Sequence, residues 1–173
     1  MDTTQAIRRT LAVLPLAALA VACSAPLAAP KAPPTPVMQT IPEGKFTAEF
    51  PGAPKFEIKN IVVSGSELPV NMYSVDTAHD AVMVGYVDYP KGSVITLDGA
   101  AEGTASGVNG VVQTRTKTTF MGHPAMDVVI KAPNVVMYER LIARDRRLYT
   151  VMGVAATGKA AAYDRLLETF VLI

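Results

Sequence analysis

The sequence predicts an α+β domain: a mainly antiparallel sheet of about six to eight strands with helices packed on its faces, an α/β/α sandwich. Two observations carry that prediction. Several apolar, β-branched stretches follow one another through short Gly, Pro, Asn or Asp turns, which is the pattern of consecutive hairpins. Two of these stretches, Ala81 to Tyr89 and Leu148 to Ala155, are apolar on both alternating faces, and a strand of that kind is covered on both sides.

Each element has its own signal. Phe46 to Phe50 reads as a short strand closed by Pro51-Gly52. Phe56 to Ser64 and Leu68 to Val75 read as a hairpin turning at Gly65-Ser66. Within Ala81 to Tyr89, Val82, Val84 and Tyr86 share one face, while Met83 and Val87 share the other. Leu97, Ala101, Thr104, Ala105 and Val108 recur at helical spacing and predict a helix over 96–108, weakened by Gly99, Gly103 and Gly107. Strands follow at Val112 to Met121, Ala125 to Lys131, Val135 to Ala143 and Leu148 to Ala155. Their turns fall at Gly122-His123-Pro124, Pro133-Asn134 and Asp145-Arg146. The spacing predicts a last helix over 158–169, with Tyr163, Leu166, Leu167 and Phe170 on one stripe.

The chain divides into three parts: a signal peptide at 1–22, a lipidated cysteine with a Pro/Ala-rich tether at 23–45, and one domain at 46–173. Arg8 and Arg9 precede the uncharged apolar run Leu11 to Ala22, which ends at Ala20-Val21-Ala22-Cys23. That run is about a dozen residues, whereas a spanning helix needs about twenty. Leu19-Ala20-Val21-Ala22-Cys23 resembles the lipobox of bacterial lipoproteins, whose cysteine is acylated and becomes the first mature residue. Cleavage by an ordinary signal peptidase at the same bond is the competing reading. Cys23 is the one cysteine of the chain, so no internal disulfide forms. Ser24 resembles the residue that sends lipoproteins of enteric type to the outer membrane. The expected address is therefore the bacterial envelope, lipid-anchored at the outer membrane and facing the periplasm. Pro26, Pro30, Pro33, Pro34, Pro36 and Pro42 fill the segment that follows, which favours extended polyproline II at about 3.1 Å per residue.

Removing Arg8, Arg9 and Asp2 from 16 basic and 15 acidic residues leaves 14 of each. A balanced domain lacks the basic excess that nucleic acid demands, so no nucleic-acid partner is expected. The membrane, reached through the N-terminal lipid, and an envelope protein or small ligand are the expected partners.

Motifs spread along the domain resemble the PsbP/DcrB-like group of exported proteins. Phe46-Thr47-Ala48-Glu49-Phe50-Pro51-Gly52 is similar to the group's F-x-x-x-F-P-G opening. Val87-Asp88-Tyr89-Pro90, Gly122-His123-Pro124, Arg147-Leu148-Tyr149 and Thr169-Phe170-Val171-Leu172 follow in the group's order. Ala125 and Thr169 stand where the group more often has glycine and serine. The resemblance implies an antiparallel sheet between helices and a non-enzymatic accessory role; it matches no functional position of the photosystem subunit.

Two histidines restrict acid–base schemes. Asp76-Thr77-Ala78-His79-Asp80 sets two carboxylates beside an imidazole, but those residue types are also ordinary turn formers. Met121, His123 and Met126 bracket a turn and combine thioether with imidazole, a donor set that suits copper. Glycine, proline and core methionines account for the same residues, so neither a metal nor a cofactor is assigned. No G-x-S-x-G nucleophile elbow is present. Arg140, Arg144, Arg146 and Arg147 gather around one hairpin with Glu139 and Asp145 among them, reading as a solvated edge laced with ion pairs. The expectation is an envelope-anchored binding or accessory module rather than an enzyme. The alternative is a periplasmic copper carrier or small enzyme using His79 or His123.

Overall fold

The computed structural model describes residues 35–173, apart from 64, 78 and 79. Cys23, the signal segment, most of the tether and His79 lie outside the described residues. In chain order the elements are β1 (Val37–Ile41), β2 (Phe46–Phe50), β3 (Lys55–Val63), β4 (Ser66–Asp76), β5 (Asp80–Asp88), α1 (Leu97–Gly107), β6 (Val111–Phe120), β7 (His123–Lys131), β8 (Val136–Arg144), β9 (Arg147–Ala155), α2 (Tyr163–Thr169) and β10 (Val171–Leu172). Seven strands form one sheet in the order β3-β4-β5-β9-β8-β7-β6, with each neighbouring pair antiparallel. The smaller sheet runs β1-β2-β10, also antiparallel.

Side-chain alternation turns this sheet into the middle of three layers. Val82, Val84 and Tyr86 of β5 point into a cluster with Phe46, Ala48 and Phe50 of β2, Tyr149 and Val151 of β9, Tyr163 and Leu166 of α2, and Phe170. Val87 points the other way, into a cluster with Met126, Val128 and Ile130 of β7, Leu141 of β8, Met152 of β9, and Ala101 and Ala105 of α1. One helix therefore covers one face. The small sheet and the second helix cover the other, which is why both β5 and β9 are apolar on two sides. Ala101 and Ala105 are one helical turn apart and fully buried or nearly so, and their small side chains let α1 lie close on the sheet.

Three details depart from the expectations. Residues 37–41, assigned above to the tether, form β1 against β2, so the folded domain begins earlier than Phe46. Residues 158–162 are not helical: α2 begins at Tyr163, and Gly158 sits at φ +67°, outside the right-handed helical region. Gly153 of β9 lies directly beneath this start, where an added Cβ would stand 2.8 Å from the Cβ of Tyr163. Finally, the turn between β6 and β7 is Met121-Gly122, with φ +50° and +80°, and His123 already pairs with Phe120. Positive φ at both central residues is what a two-residue hairpin of right-twisted strands requires.

Among the described residues no helix is long and apolar enough to cross a membrane.

Candidate functional site: a basic cleft at the turn between β8 and β9

The hairpin arginines do not act as one group. Arg140 points onto Asp127, its cross-strand partner on β7, through two short hydrogen bonds of 2.6 and 2.7 Å. Those bonds hold its guanidinium above the usual arginine range. Glu139, expected on a solvated edge, is instead buried at 1% exposure between Met137 and Leu141 on the face beneath α1. The alternation of β8 dictates this: neighbours in a strand point to opposite faces, so Arg140 and Glu139 cannot share solvent.

Arg144, Arg146 and Arg147 remain, and the fold brings Lys45, Asp88, Tyr89, Asp145 and Tyr149 to them around a cleft of about 420 Å³. Asp145 at φ +55° makes the tight β8–β9 turn, and the Tyr89 amide donates to the Arg146 carbonyl at 2.7 Å, tying the end of β5 to that turn. Lys45 closes the β1–β2 turn at φ +54°. Its carbonyl accepts from the Ile173 amide at 2.9 Å, and Arg144 donates to the Ile173 carbonyl at 3.2 Å.

Arg147 forms the floor. Its Nε and Nη2 each donate to one oxygen of Asp88 at 2.6 Å, and Nη1 donates to the Glu43 carbonyl at 2.8 Å. The guanidinium carbon lies 4.5 Å from the Tyr86 ring centre and 5.8 Å from that of Tyr149. One planar fork thus joins β5, β9 and the β1–β2 turn, a task suited to arginine's fixed set of donors. The hydrogen bonds from Arg147 hold the Asp88 carboxyl below its usual range, outweighing a desolvation that pushes the other way. Lys45 and Arg146 line the same cleft without a salt bridge among the described residues, their charges acting on Asp88 at longer range than Arg147 does. Replacing Arg147 with alanine should cost about 2–3 kcal/mol, since it removes charged hydrogen bonds and two cation–π contacts together. Arg147→Lys should recover less than half of that, because an ammonium cannot span Asp88 and Glu43 at once. Denaturant unfolding of the two variants checks both values.

The other candidates are dispersed. Met126 is buried under α1, whereas His123 shares parity with Ala125, which faces the opposite cluster. Met121 projects from its turn at 56% exposure. The sheet itself therefore separates Met126 from His123, and the copper donor set does not converge. No group of three or more His, Cys, Asp or Glu side chains able to hold a metal occurs among the described residues. In the segment 76–80, Asp76 pairs with Lys55 at 3.6 Å, and Asp80 binds Thr77 and accepts from the Ala161 amide at 2.7 Å. Asp80 is thereby tied into the local structure, while the Asp76 pair is an exposed surface contact. The hairpin arginines were legible in the sequence; Lys45 and Glu43 carried no local signal, and the Val87-Asp88-Tyr89-Pro90 motif gave no sign that Asp88 pairs with Arg147.

This layering defines the class: the domain has a PsbP-like fold. The particular likeness is to the solution structure of cyanobacterial PsbP (CyanoP) from Synechocystis sp. PCC 6803, with a TM-score of 0.54 over 80% of this chain and 92% of that one. Identity over the match is 10%, so the likeness shows the fold and no site residue. No family model matches the chain, and none of the curated proteins does.

Proposed function

We propose that this chain is an envelope-anchored lipoprotein, acylated at Cys23, whose domain is a non-enzymatic binding module that takes an anionic group into the basic cleft. The lipobox-like Leu19 to Cys23 and the proline-rich segment after it support the anchor; Ser24 favours the outer membrane. One observation carries the binding reading: Arg147 is locked against Asp88, while Lys45 and Arg146 line the same cleft without a salt bridge among the described residues. A fixed floor with two further cations outside any salt bridge, and Tyr89 and Tyr149 beside them, suits a phosphate- or carboxylate-bearing ligand, whose oxygens would accept charge-assisted hydrogen bonds. Binding of this kind needs no proton transfer.

Two measurements test the two halves separately. The intact mass of the N-terminal peptide, from protein purified out of its host's membranes, should show Cys23 carrying acyl chains; an unmodified Cys23 overturns the anchor. Titration of the full chain with tripolyphosphate, followed by backbone amide NMR shifts, should perturb Lys45, Tyr89 and Arg146 saturably. The double variant Lys45→Ala, Arg146→Ala should weaken that binding about tenfold or more, from the loss of two charged hydrogen bonds. Shifts spread over the whole surface, or indifferent to the double variant, overturn the cleft.

A further inference from the structure

The two edges of the seven-stranded sheet are built differently. β6 carries a register shift between Val112 and Thr114 and lies against α1, both of which discourage another strand from adding to it. β3 has neither protection. It runs nine residues in unbroken register with β4, contains no proline, and among the described residues has no strand on its outer side. Phe56, Ile58 and Val62 share one face of it and are 52%, 58% and 71% exposed. A long, regular, apolar edge of this kind invites pairing with another strand.

We propose that β3 pairs antiparallel with β3 of a second copy, making one continuous sheet through a twofold dimer centred on Ile58. The charges select both the occupant and the register. A twofold axis perpendicular to the sheet leaves each side chain on its own face, so residues opposite each other must share parity. Centring the axis on Ile58 sets Glu57 opposite Lys59 of the second copy and Lys59 opposite its Glu57. Within one chain these two already stand 3.9 Å apart, so the four charges form an alternating square. On the other face Ile58 meets Ile58, flanked by Phe56 opposite Asn60, and Phe56 itself is backed by Tyr73 of β4 at 4.9 Å between ring centres. Centring on Glu57 opposes that residue to itself and Lys55 to Lys59. Centring on Lys59 opposes two lysines. Centring on Asn60 brings no opposite charges together, and centring on Phe56 overlaps only residues 55–57. Only the Ile58 register spans most of the strand and satisfies its charges. Lys59, which would otherwise guard the edge, then becomes part of the contact.

Sedimentation equilibrium of the full chain should show a monomer–dimer equilibrium. Glu57→Lys or Lys59→Glu alone turns both symmetric pairs repulsive and should weaken the dimer about tenfold or more, whereas the double exchange should restore it to within a few-fold. These positions are exposed, so folding is unaffected, and circular dichroism of each variant verifies that. Register is read separately by single cysteines at 58, 59 or 60 in a chain whose Cys23 is serine. Ile58→Cys should give the cross-linked dimer under mild oxidation, and Lys59→Cys and Asn60→Cys should not. A monomer at every concentration, a dimer indifferent to the charge exchange, or cross-linking at 59 or 60 in preference to 58 overturns the proposal.

Discussion

Replacing Glu139 with methionine is expected to stabilise the protein, and to do so increasingly as pH rises toward 8. The carboxyl is almost wholly buried beneath α1; Oε1 accepts from Thr104 at 3.3 Å and Oε2 has no partner among the described residues. Its neighbours on the sheet are Val128 and Met152 across the strands, with Met137 and Leu141 along its own. Burial pushes the group up to about 8, against a small opposing effect of the Thr104 hydrogen bond. The native state therefore keeps a proton that the unfolded chain releases near 4.5. The contribution of this group is intact below that value and is lost as pH rises through the folded one. At about 1.4 kcal/mol per pH unit, the loss amounts to roughly 5 kcal/mol across the window. Glu139→Met fills a similar volume without a charge and should flatten the slope. Glu139→Gln should flatten it as well, yet remain less stable than the methionine variant, because a polar group is still buried without full hydrogen bonding. Guanidinium unfolding midpoints of the three proteins between pH 5 and 8 decide the matter. Parallel curves would show that the carboxyl reaches water.

Phe46→Ala should produce a similarly large loss, about 3–5 kcal/mol, independent of pH. Phe46 is fully buried at the start of β2, opposite Ile41 of β1 and Leu172 of β10. Its ring meets Tyr73 edge-on at 5.9 Å and Phe170 at 5.4 Å, and Gly44 leaves it room, since an added Cβ there would stand 2.6 Å from the ring. This one side chain fastens the small sheet to both the main sheet and the end of α2. A domain of this size has about 5–15 kcal/mol to lose, so thermal unfolding should move down by about 10 °C or more. Phe46→Leu should cost less than half as much, since most of the apolar volume remains. An alanine variant melting with the parent would mean that the small sheet contributes little to the cooperative unit.

Phe46 also shows why the opening motif was readable. Phe46, Ala48 and Phe50 alternate with Thr47 and Glu49, and the structure buries the first three completely. The same period-two reading assigned Val82, Val84 and Tyr86 to one face of β5, and the two-sided apolar strands to the sheet's centre. Asp145-Arg146 was recognisable as a turn because aspartate tolerates the left-handed conformation it adopts there. Such features depend on a few adjacent residues, and the sequence by itself determined them: the positions of eight strands and of the first helix, most turns, the antiparallel sheet and its covering on both faces.

Tertiary structure decided what depends on residues far apart. Val37 to Ile41 lies in a proline-rich stretch with alternating exposure, and only pairing with β2 makes it a strand. Val171–Leu172 is too short to show any period, and it too exists as a strand through β2. Glu139 looked like part of a charged edge because its sequence neighbours are charged; the placement of α1 over that face buries it. The cleft is the same case. Its arginines are adjacent in the chain, but Asp88 neutralises one of them from 59 residues away, and Glu43 completes the clamp from 104 residues away. Local periodicity reports which way a side chain points; what it meets there is set by strand order and layer packing, and those are properties of the folded chain alone.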